Sequence, residues 1–213
     1  MTKLYKLTTE DFKTRKCYPN ETTWGENVTH SGTGKGDLCG PGYIHAYLTP
    51  ELAVLLNPIH ANIKNPVLWE AEGDIVKKDG QMKVGCISLT TTKQVPLPNI
   101  TKERRIAFAI LAAKEIYDDQ KWIEWADNWL NGSDRSIKSA KAAYSAAQAA
   151  ASAAQAAASA TQAAAYSAFY SACATHAAAS AAQAAYSATS ATHAAHAEKN
   201  IDLVKIAEKA MEY

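Results

Sequence analysis

A glycine-rich stretch, GTGKGDLCGPG at residues 32–42, carries side chains of the right type to bind an anion or a small polar ligand. Glycine amides can surround a phosphate, and a lysine in such a loop can neutralise its charge. The stretch departs from the phosphate-loop pattern, because Gly36 follows Lys35 where that pattern requires serine or threonine. A flexible loop or tight turn is therefore the preferred interpretation, with Lys35 and Asp37 as ligand candidates beside it.

Histidines, cysteines and carboxylates elsewhere in the first hundred residues could form a metal or acid–base cluster with this loop. They are His45, His60, Cys39, Cys86, Glu70 and Glu72. Their spacing matches no zinc pattern, no Ser-His-Asp triad and no Cys-His pair. The sequence therefore predicts no catalytic residue, no metal and no cofactor. The predicted ligand site consists of Lys35, Asp37, His45 and Glu70.

Residues 1–100 must position these side chains, and their pattern predicts a small β-rich domain. The strand-like runs are KLYKLTT, GYIHAYLT, PVLWEAEGDIV and MKVGCISLTT. Asp79-Gly80 lies between the last two runs and predicts a hairpin turn. The run TPELAVLL predicts a short helix, with Thr49 as its cap and Pro50 at its first position.

Residues 101–132 are predicted to form a connecting amphipathic segment, helical through Leu130 and capped by Thr101. Large apolar side chains recur along it at helical spacing, ending with Trp122, Trp125 and Trp129. We expect this stripe to pack as a core helix, and a ligand-stacking face is the alternative. Gly132 is expected to end the helix, with Ser133 or Asp134 capping the next one.

Residues 133–213 form the third predicted region, and alanine dominates it up to Ala197. The region contains neither glycine nor proline, and no formal charge lies between Tyr144 and Ala197. Two positions of a seven-residue repeat, starting at Ala142, are almost pure alanine, and a third position starts at Ala143. This spacing predicts a close-packed, left-handed supercoil.

The seam of this supercoil is the predicted assembly interface. Its members are Ala146, Ala149, Ala153, Ala156, Ala160, Ala163, Tyr166, Phe169, Tyr170, Ala174, Ala177, Ala181, Ala184 and Ala188. Burying one methyl group contributes only about 0.8 kcal/mol, so many layers or a second packed face would be needed. Asn200 is expected to end the long helix, after which a separate amphipathic helix folds back. Its apolar residues are Ile201, Leu203, Val204, Ile206, Ala207, Ala210 and Met211.

The predicted fold class is thus α+β: a β-rich domain, a Trp-rich helix and a long Ala-rich helix, coiled coil or bundle. The 213-residue chain has a formal net charge of +1, so neither nucleic acid nor an anionic membrane is an obligatory partner. The polar N-terminus lacks a signal-peptide core, and Gln, Ser, Thr and His interrupt the alanine tract. We therefore expect a soluble protein in the cytoplasm of the host cell.

The block from GKGDLCGPGYIHAYLTPELAVLLNP to the DGQMKVGCISLTT hairpin resembles an uncharacterised domain family of phages and prophages. The positions that carry the resemblance are Leu38, Cys39, Gly42, His45, Ala46, Pro50, Val54, Leu55, Glu70, Glu72, Asp79, Gly80, Lys83 and Val84. The alanine repeats are similar to alanine-rich helical proteins regarded as immunity proteins of bacterial toxin systems. The first block also resembles ADP-ribosyltransferase-like folds, but it lacks a clear arginine and glutamate catalytic set.

The resemblance implies a non-catalytic phage or prophage accessory protein that self-assembles or binds a host or phage protein. Inhibition or sequestration in phage–host conflict, as an anti-defence or immunity-like protein, is the role that it suggests. A small nucleotide-binding or ADP-ribosyltransferase-like enzyme is one alternative. A virion component that forms a filament or bundle is the other.

Overall fold

The computed structural model describes most of the chain outside the alanine tract. The described residues are 2–15, 20–115, 117–144 and 201–213. Their strands and helices confirm the α+β class. The predicted alanine seam, Ala146 to Ala188, lies outside the described residues, so the predicted long helix and coiled coil stay predictions.

The chain divides into two compact units, a strand-rich unit at Met1–Asn99 and a helical unit at Ile100–Tyr213. The strands are β1 (Thr2–Thr8), β2 (Lys13–Thr14), β3 (Thr22–Thr23), β4 (Val28–Ser31), β5 (Ile44–Ala46), β6 (Val67–Asp79) and β7 (Lys83–Val95). The helices are α1 (Pro50–His60), α2 (Lys102–Lys114), α3 (Gln120–Leu130) and the C-terminal helix α4 (Leu203–Ala210).

The main sheet of the strand-rich unit closes on itself. Its antiparallel path runs β1–β6–β7, and both β4 and β5 pair with β7. Tyr47, directly after β5, then bridges to Tyr5 of β1 through two backbone hydrogen bonds of 2.9 and 2.8 Å. The ring β1–β6–β7–β5 therefore has an inner and an outer face, and successive residues of each strand alternate between them.

The inner face of the ring holds an apolar core. Its buried members are Leu4, Trp24, Ile44, Ala46, Ala71, Val84, Cys86 and Leu89. The predicted hairpin joins the two longest strands: Met82 N donates to Asp79 O, and Gly80 has a φ of 52°. Glycine adopts this left-handed conformation without the steric penalty of a side chain, which explains the Asp-Gly pair.

Helix α1 begins as its sequence predicts. The Thr49 hydroxyl accepts a hydrogen bond of 3.2 Å from Leu52 N, and Pro50 occupies the first turn. Its apolar residues from Leu52 to Leu56 are buried, and α1 contacts β1. The helix extends past the predicted run as far as His60, with Pro58 inside its last turn.

The helical unit differs from the prediction of one continuous helix over 101–130. Helix α2 ends at Lys114, and α3 begins at Gln120. The start of α3 is fixed by Asp119, whose side chain accepts a 2.8 Å hydrogen bond from Trp122 N. The predicted Thr101 cap of α2 is confirmed, since its hydroxyl accepts from Arg104 N. The three tryptophans of α3 are buried, as expected for a core helix.

The turn after α3 contains the predicted glycine, but the residue that caps the following helix differs from the prediction. Gly132 has a φ of 81° directly after the last turn of α3. The next helical residues, 137–144, are preceded by Ser136, whose hydroxyl accepts from Ser139 N. Ser136 therefore takes the capping role predicted for Ser133 or Asp134.

The first residues of the alanine repeat are described. Ala142, the first seam position of the repeat, is exposed in the single chain, and Ala143 of the third position is buried. At the other end of the unit, α4 packs against α2, begins with an Asp202 cap and buries its apolar face.

Candidate functional site

The glycine-rich loop lies on the outer face of the ring, over the pair β5–β7. Gly85 of β7 is opposite His45 of β5, and a Cβ atom on Gly85 would come within 2.4 Å of Leu38 Cδ1. Leu38 therefore sits directly over Gly85, and the missing side chain makes this approach possible. Gly42 allows a similar close approach by the backbone of Lys35, because a Cβ atom on Gly42 would lie 1.9 Å from Lys35 O.

Alternate carbonyls of the loop are held by side chains of the strand-rich unit. Gly34 O accepts from Tyr43 Oη at 2.7 Å, Gly36 O from Lys77 Nζ at 2.7 Å, Leu38 O from His45 Nε2, and Gly40 O from Arg15 Nη2 at 3.2 Å. The predicted flexible loop is thus an anchored turn whose carbonyl oxygens face the protein. These carbonyls accept hydrogen bonds, unlike the amides of a phosphate-binding loop, which donate them.

His45 and Lys83 lie together on the outer face beside this loop. Ile44, Ala46 and Val84 belong to the inner core, so His45 and Lys83 project outward. Lys83 Nζ donates to the exposed Cys39 Sγ at 3.1 Å.

His60, at the end of α1, joins the same group. Its Nδ1 lies 3.1 Å from the hydroxyl of Tyr47, and the two rings stack with centroids 5.8 Å apart. Burial, together with the charges of Lys83 and His45, lowers the pKa of His60 to about 4. The influence of Lys83 and His45 shows that α1 and β5–β7 meet at one polar patch.

Lys6 approaches the patch from the inner face. Its side chain is 7% exposed, donates a 3.0 Å hydrogen bond from Nζ to His45 O, and lies 4.5 Å above the ring of Trp24. Burial lowers its pKa to about 7, and the charge of Arg15 acts in the same direction. Lys6 is therefore a basic group in the core that is partly protonated at neutral pH and is held by one carbonyl and one aromatic face.

These groups form the basic cluster, which consists of Lys6, Arg15, His45, His60 and Lys83. Burial is the largest influence lowering the pKa of His45, and all the charged groups that lower it further are cations: Lys6, Lys83 and Arg15. Within the described ranges, no member of the cluster forms an ion pair with a carboxylate. Asp79 faces Lys83 across the hairpin, but these two side chains form no ion pair either. The charged groups that act on His45 are thus all cations, and the carboxylate of Asp74 acts on the neighbouring Cys86 instead.

The structure separates the four predicted ligand residues. His45 is a member of the cluster, and the loop that bears Lys35 and Asp37 is bound to it through Leu38 O. The side chains of Lys35 and Asp37 are exposed. Glu70 instead pairs with Lys3 at 2.9 Å and Lys93 at 3.4 Å, and its charge is not among those that shift the pKa of His45.

Four cluster members are absent from the predicted ligand site. His60 was among the metal or acid–base candidates, whereas Lys6, Arg15 and Lys83 were not candidates for a site. The sequence did indicate an unusual position for Lys6. Alternate residues of a strand share one face, so Lys6 lies on the same inward face as the buried Leu4. A lysine at an inward strand position is rare unless it has a partner. Arg15 and Lys83 carry no such signal, since nothing local distinguishes them from solvated surface cations.

Two potential nucleophiles near the cluster are held in their protonated forms. Burial raises the pKa of Cys86 to about 11, and burial also raises the pKa of the Tyr47 hydroxyl above its usual range. A thiol is nucleophilic as the thiolate, so Cys86 is unreactive at neutral pH. Across the part of the chain that the structure describes, no group of three or more His, Cys, Asp or Glu side chains could hold a metal ion.

Comparisons with protein families, with curated proteins and with solved structures find no match for this chain. The resemblance to a phage and prophage family therefore stays a prediction. Among the described residues, no helix combines the length and apolar character needed to cross a membrane.

Proposed function

We propose that the protein is a non-catalytic binding protein and that its strand-rich unit takes a small anionic ligand at the basic cluster. The observation that carries this proposal is the set of cations around His45 with no carboxylate paired to them. The protonated states of Cys86 and Tyr47 support binding over covalent chemistry. The proposed location is the host cytoplasm.

Electrostatics give the physical reason for an anionic ligand. Two unit charges roughly 4 Å apart interact by about 4 kcal/mol at an effective dielectric constant of 20. Cations that repel each other in a partly buried site lower the stability of the unliganded protein. An anion bound on the outer face beside His45 and Lys83 reduces this repulsion and is attracted to several charges at once, so the ligand should bind more tightly at low ionic strength.

Calorimetric titration of the full chain with sulfate at low ionic strength tests this proposal. We expect saturable binding that weakens as sodium chloride is added. Lys83→Met should weaken binding at least several-fold, because it removes one charge of the cluster. Lys93→Met is the matched control: Lys93 lies on the same strand but pairs with Glu70, so binding should not change. Absence of saturable binding by the wild-type chain would contradict the proposal.

A second proposed function concerns the alanine-rich region, and the charge-free seven-residue repeat supports it. Helices of this kind can approach each other without desolvating charge, which favours self-assembly or capture of a host or phage protein. Phage accessory activity in host conflict remains the proposed context, and a virion component is the alternative.

Sedimentation of the full chain over a range of concentrations tests the assembly proposal. We expect concentration-dependent association, lost in the double variant Ala153→Glu, Ala160→Glu, which places charge at two seam positions. Gln155→Glu and Gln162→Glu add the same charge at another heptad position and serve as control. A wild-type chain that stays monomeric throughout would contradict self-assembly.

A further inference from the structure

One ring nitrogen of His45 is already used by the fold. Its Nε2 contacts Leu38 O, and a carbonyl oxygen can only accept a hydrogen bond. The proton of neutral His45 is therefore at Nε2, and Nδ1 carries a bare lone pair. In this state Nδ1 repels the oxygen of an anion, and it becomes a donor only when the ring takes up a second proton.

His60 is held differently. Its Nδ1 shares a hydrogen bond with the hydroxyl of Tyr47, which stays protonated because burial raises its pKa, and either group can be the donor. The fold therefore fixes the tautomer of His45 but not that of His60. Of the two histidines, His45 is the one whose second ring nitrogen becomes a donor only when the ring takes up a proton.

The surroundings of His45 favour its neutral form in the absence of a ligand. The charged groups that act on it are Lys6 on β1, Arg15 after β2, and Lys83 on β7. From the remaining elements, His60 on α1 and the thiol of Cys39 on the loop belong to the same patch. Burial, followed by these cations, lowers the pKa of His45 below its usual value, and the hydrogen bond to Leu38 O offsets part of this shift.

We propose that the ligand is a doubly charged oxyanion of the phosphate or sulfate type and that its binding brings one proton onto His45. This inference rests on the proposed anion site. A dianion fits the cluster better than a single charge because several unpaired cations converge on it. The added proton converts Nδ1 from a repelling lone pair into a donor, and the ligand's charge compensates the repulsion from Lys6, Arg15 and Lys83.

The sign of the pH dependence follows from linkage. A bound anion raises the pKa of His45, so the complex holds one more proton than the free protein between the free and bound pKa values. Affinity therefore rises as the pH falls through this window. The change is at most about tenfold per pH unit for one linked proton.

Sulfate is the appropriate first probe because its own charge does not change over the range in which histidine titrates. Calorimetric titration of the full chain from about pH 7.5 down to about pH 5 should show progressively tighter binding, by up to about tenfold per pH unit. Two buffers with different ionisation enthalpies should give different apparent enthalpies, which measures the proton taken up. Inorganic phosphate and a nucleoside monophosphate then distinguish a free oxyanion from one carried on a nucleotide.

His45→Gln provides the matched variant. The glutamine amide can still donate to Leu38 O, but it cannot take up the second proton. Lys6 also titrates near pH 7, so the variant should lose only the further tightening of sulfate binding that the wild type shows between about pH 6 and about pH 5. NMR titration of the His45 ring in the wild-type chain gives a measurement that needs no variant: sulfate should raise its pKa.

The outcomes separate the two proposals. Sulfate binding of constant affinity at all pH values, with no change in the His45 pKa, overturns the proton link but leaves the anion site intact. A tightening between about pH 6 and about pH 5 that persists in His45→Gln and disappears in His60→Gln overturns the assignment to His45. Absence of sulfate binding at every pH overturns the proposed function itself.

Discussion

The two units bury a polar nitrogen in different ways. In the strand-rich unit, Lys6 Nζ is buried against Trp24 and bonded to His45 O. In the helical unit, Trp125 Nε1 is buried and makes no hydrogen bond within the described residues. An unsatisfied neutral donor costs about 1–3 kcal/mol, whereas an isolated buried charge costs far more. An unpaired neutral donor such as Trp125 Nε1 is therefore tolerated, whereas the charged form of Lys6 needs partners.

The surroundings of these two nitrogens also differ: aromatic rings pack around Trp125, whereas basic side chains lie near Lys6. Helix α3 brings Trp122 within 5.3 Å of Tyr117 and 5.5 Å of Trp125 between ring centroids, an apolar cluster typical of a core. Lys6 instead belongs to a cluster of five basic side chains. Apolar packing explains the tryptophans, but it does not explain why cations are gathered in one place. This difference favours the strand-rich unit as the location of the proposed ligand site.

The largest expected effect tests the structural role of the tryptophans. Trp122→Ala removes a fully buried side chain and should lower the free energy of unfolding by about 4 kcal/mol. Chemical denaturation of the full chain, followed by circular dichroism, measures it. Lys121→Ala, at an exposed neighbouring position, should change stability by less than about 0.5 kcal/mol. Equal effects of the two substitutions would show that the stripe is not a core.

The buried cation gives the next effect. The pKa of Lys6 is depressed to about 7 in the folded protein, so the unfolded chain binds the extra proton between pH 7 and its own pKa near 10.4. Stability should therefore rise with pH in that window, by on the order of 3 kcal/mol. Below this window both states are protonated, and the penalty is constant.

Lys6→Met isolates this contribution. The variant should lack the rise between about pH 7 and pH 10, and at neutral pH it should be as stable as the wild type or more stable. Urea denaturation of both proteins at several pH values gives the difference directly. An unchanged pH dependence in the variant would mean that Lys6 does not carry a depressed pKa.

The anchored loop gives a smaller effect that tests whether its backbone geometry supports the cluster. Gly42→Ala should lower stability by roughly 2 kcal/mol and weaken sulfate binding, because its Cβ would overlap Lys35 O. In Gly36→Ala the added Cβ would have no atom within 4 Å, so the φ of 85° is the only source of strain. This substitution should lower the free energy of unfolding by about 1 kcal/mol. If Gly36→Ala weakens sulfate binding more than Gly42→Ala does, the loop's close approach is not what positions the site.

The smallest expected effects come from the same substitution in each unit, at a threonine that caps a helix. Thr49 caps α1 and Thr101 caps α2, each through its hydroxyl. Thr49→Ala and Thr101→Ala should each lower the free energy of unfolding by about 1 kcal/mol. Hydrogen exchange should show faster exchange at the amides of the first turn of the affected helix. Unchanged exchange at either helix start would contradict that cap.

Local features were largely predictable because they depend on neighbours in sequence. The caps of α1 and α2, the Asp79-Gly80 turn and the Gly132 stop each follow from hydrogen bonds or backbone angles within a few residues. The prediction of one helix over 101–130 was wrong for a related reason. Apolar periodicity continues through residues 115–119, and only the Asp119 cap reveals the break.

The candidate site was predictable only in part. His45 and the loop at residues 32–42 were singled out, and the structure joins them through Leu38 O. Glu70 shares a region of sequence with them, but its carboxylate is neutralised by Lys3 and Lys93. Lys6, Arg15 and Lys83 were missed, because a cation that joins a cluster looks the same in sequence as one that faces water.

The sequence by itself determined the class of fold, the ends of several helices and the strand alternation that turns Lys6 inward, since each depends on short-range hydrogen bonds or periodicity. Only the tertiary structure decided that β1, β5, β7, α1 and the glycine-rich loop meet at one place. Ring closure through Tyr5 and Tyr47 brings together charges that are far apart along the chain. Repulsion between cations depends on their distance in space, so the basic cluster exists only once the ring has closed.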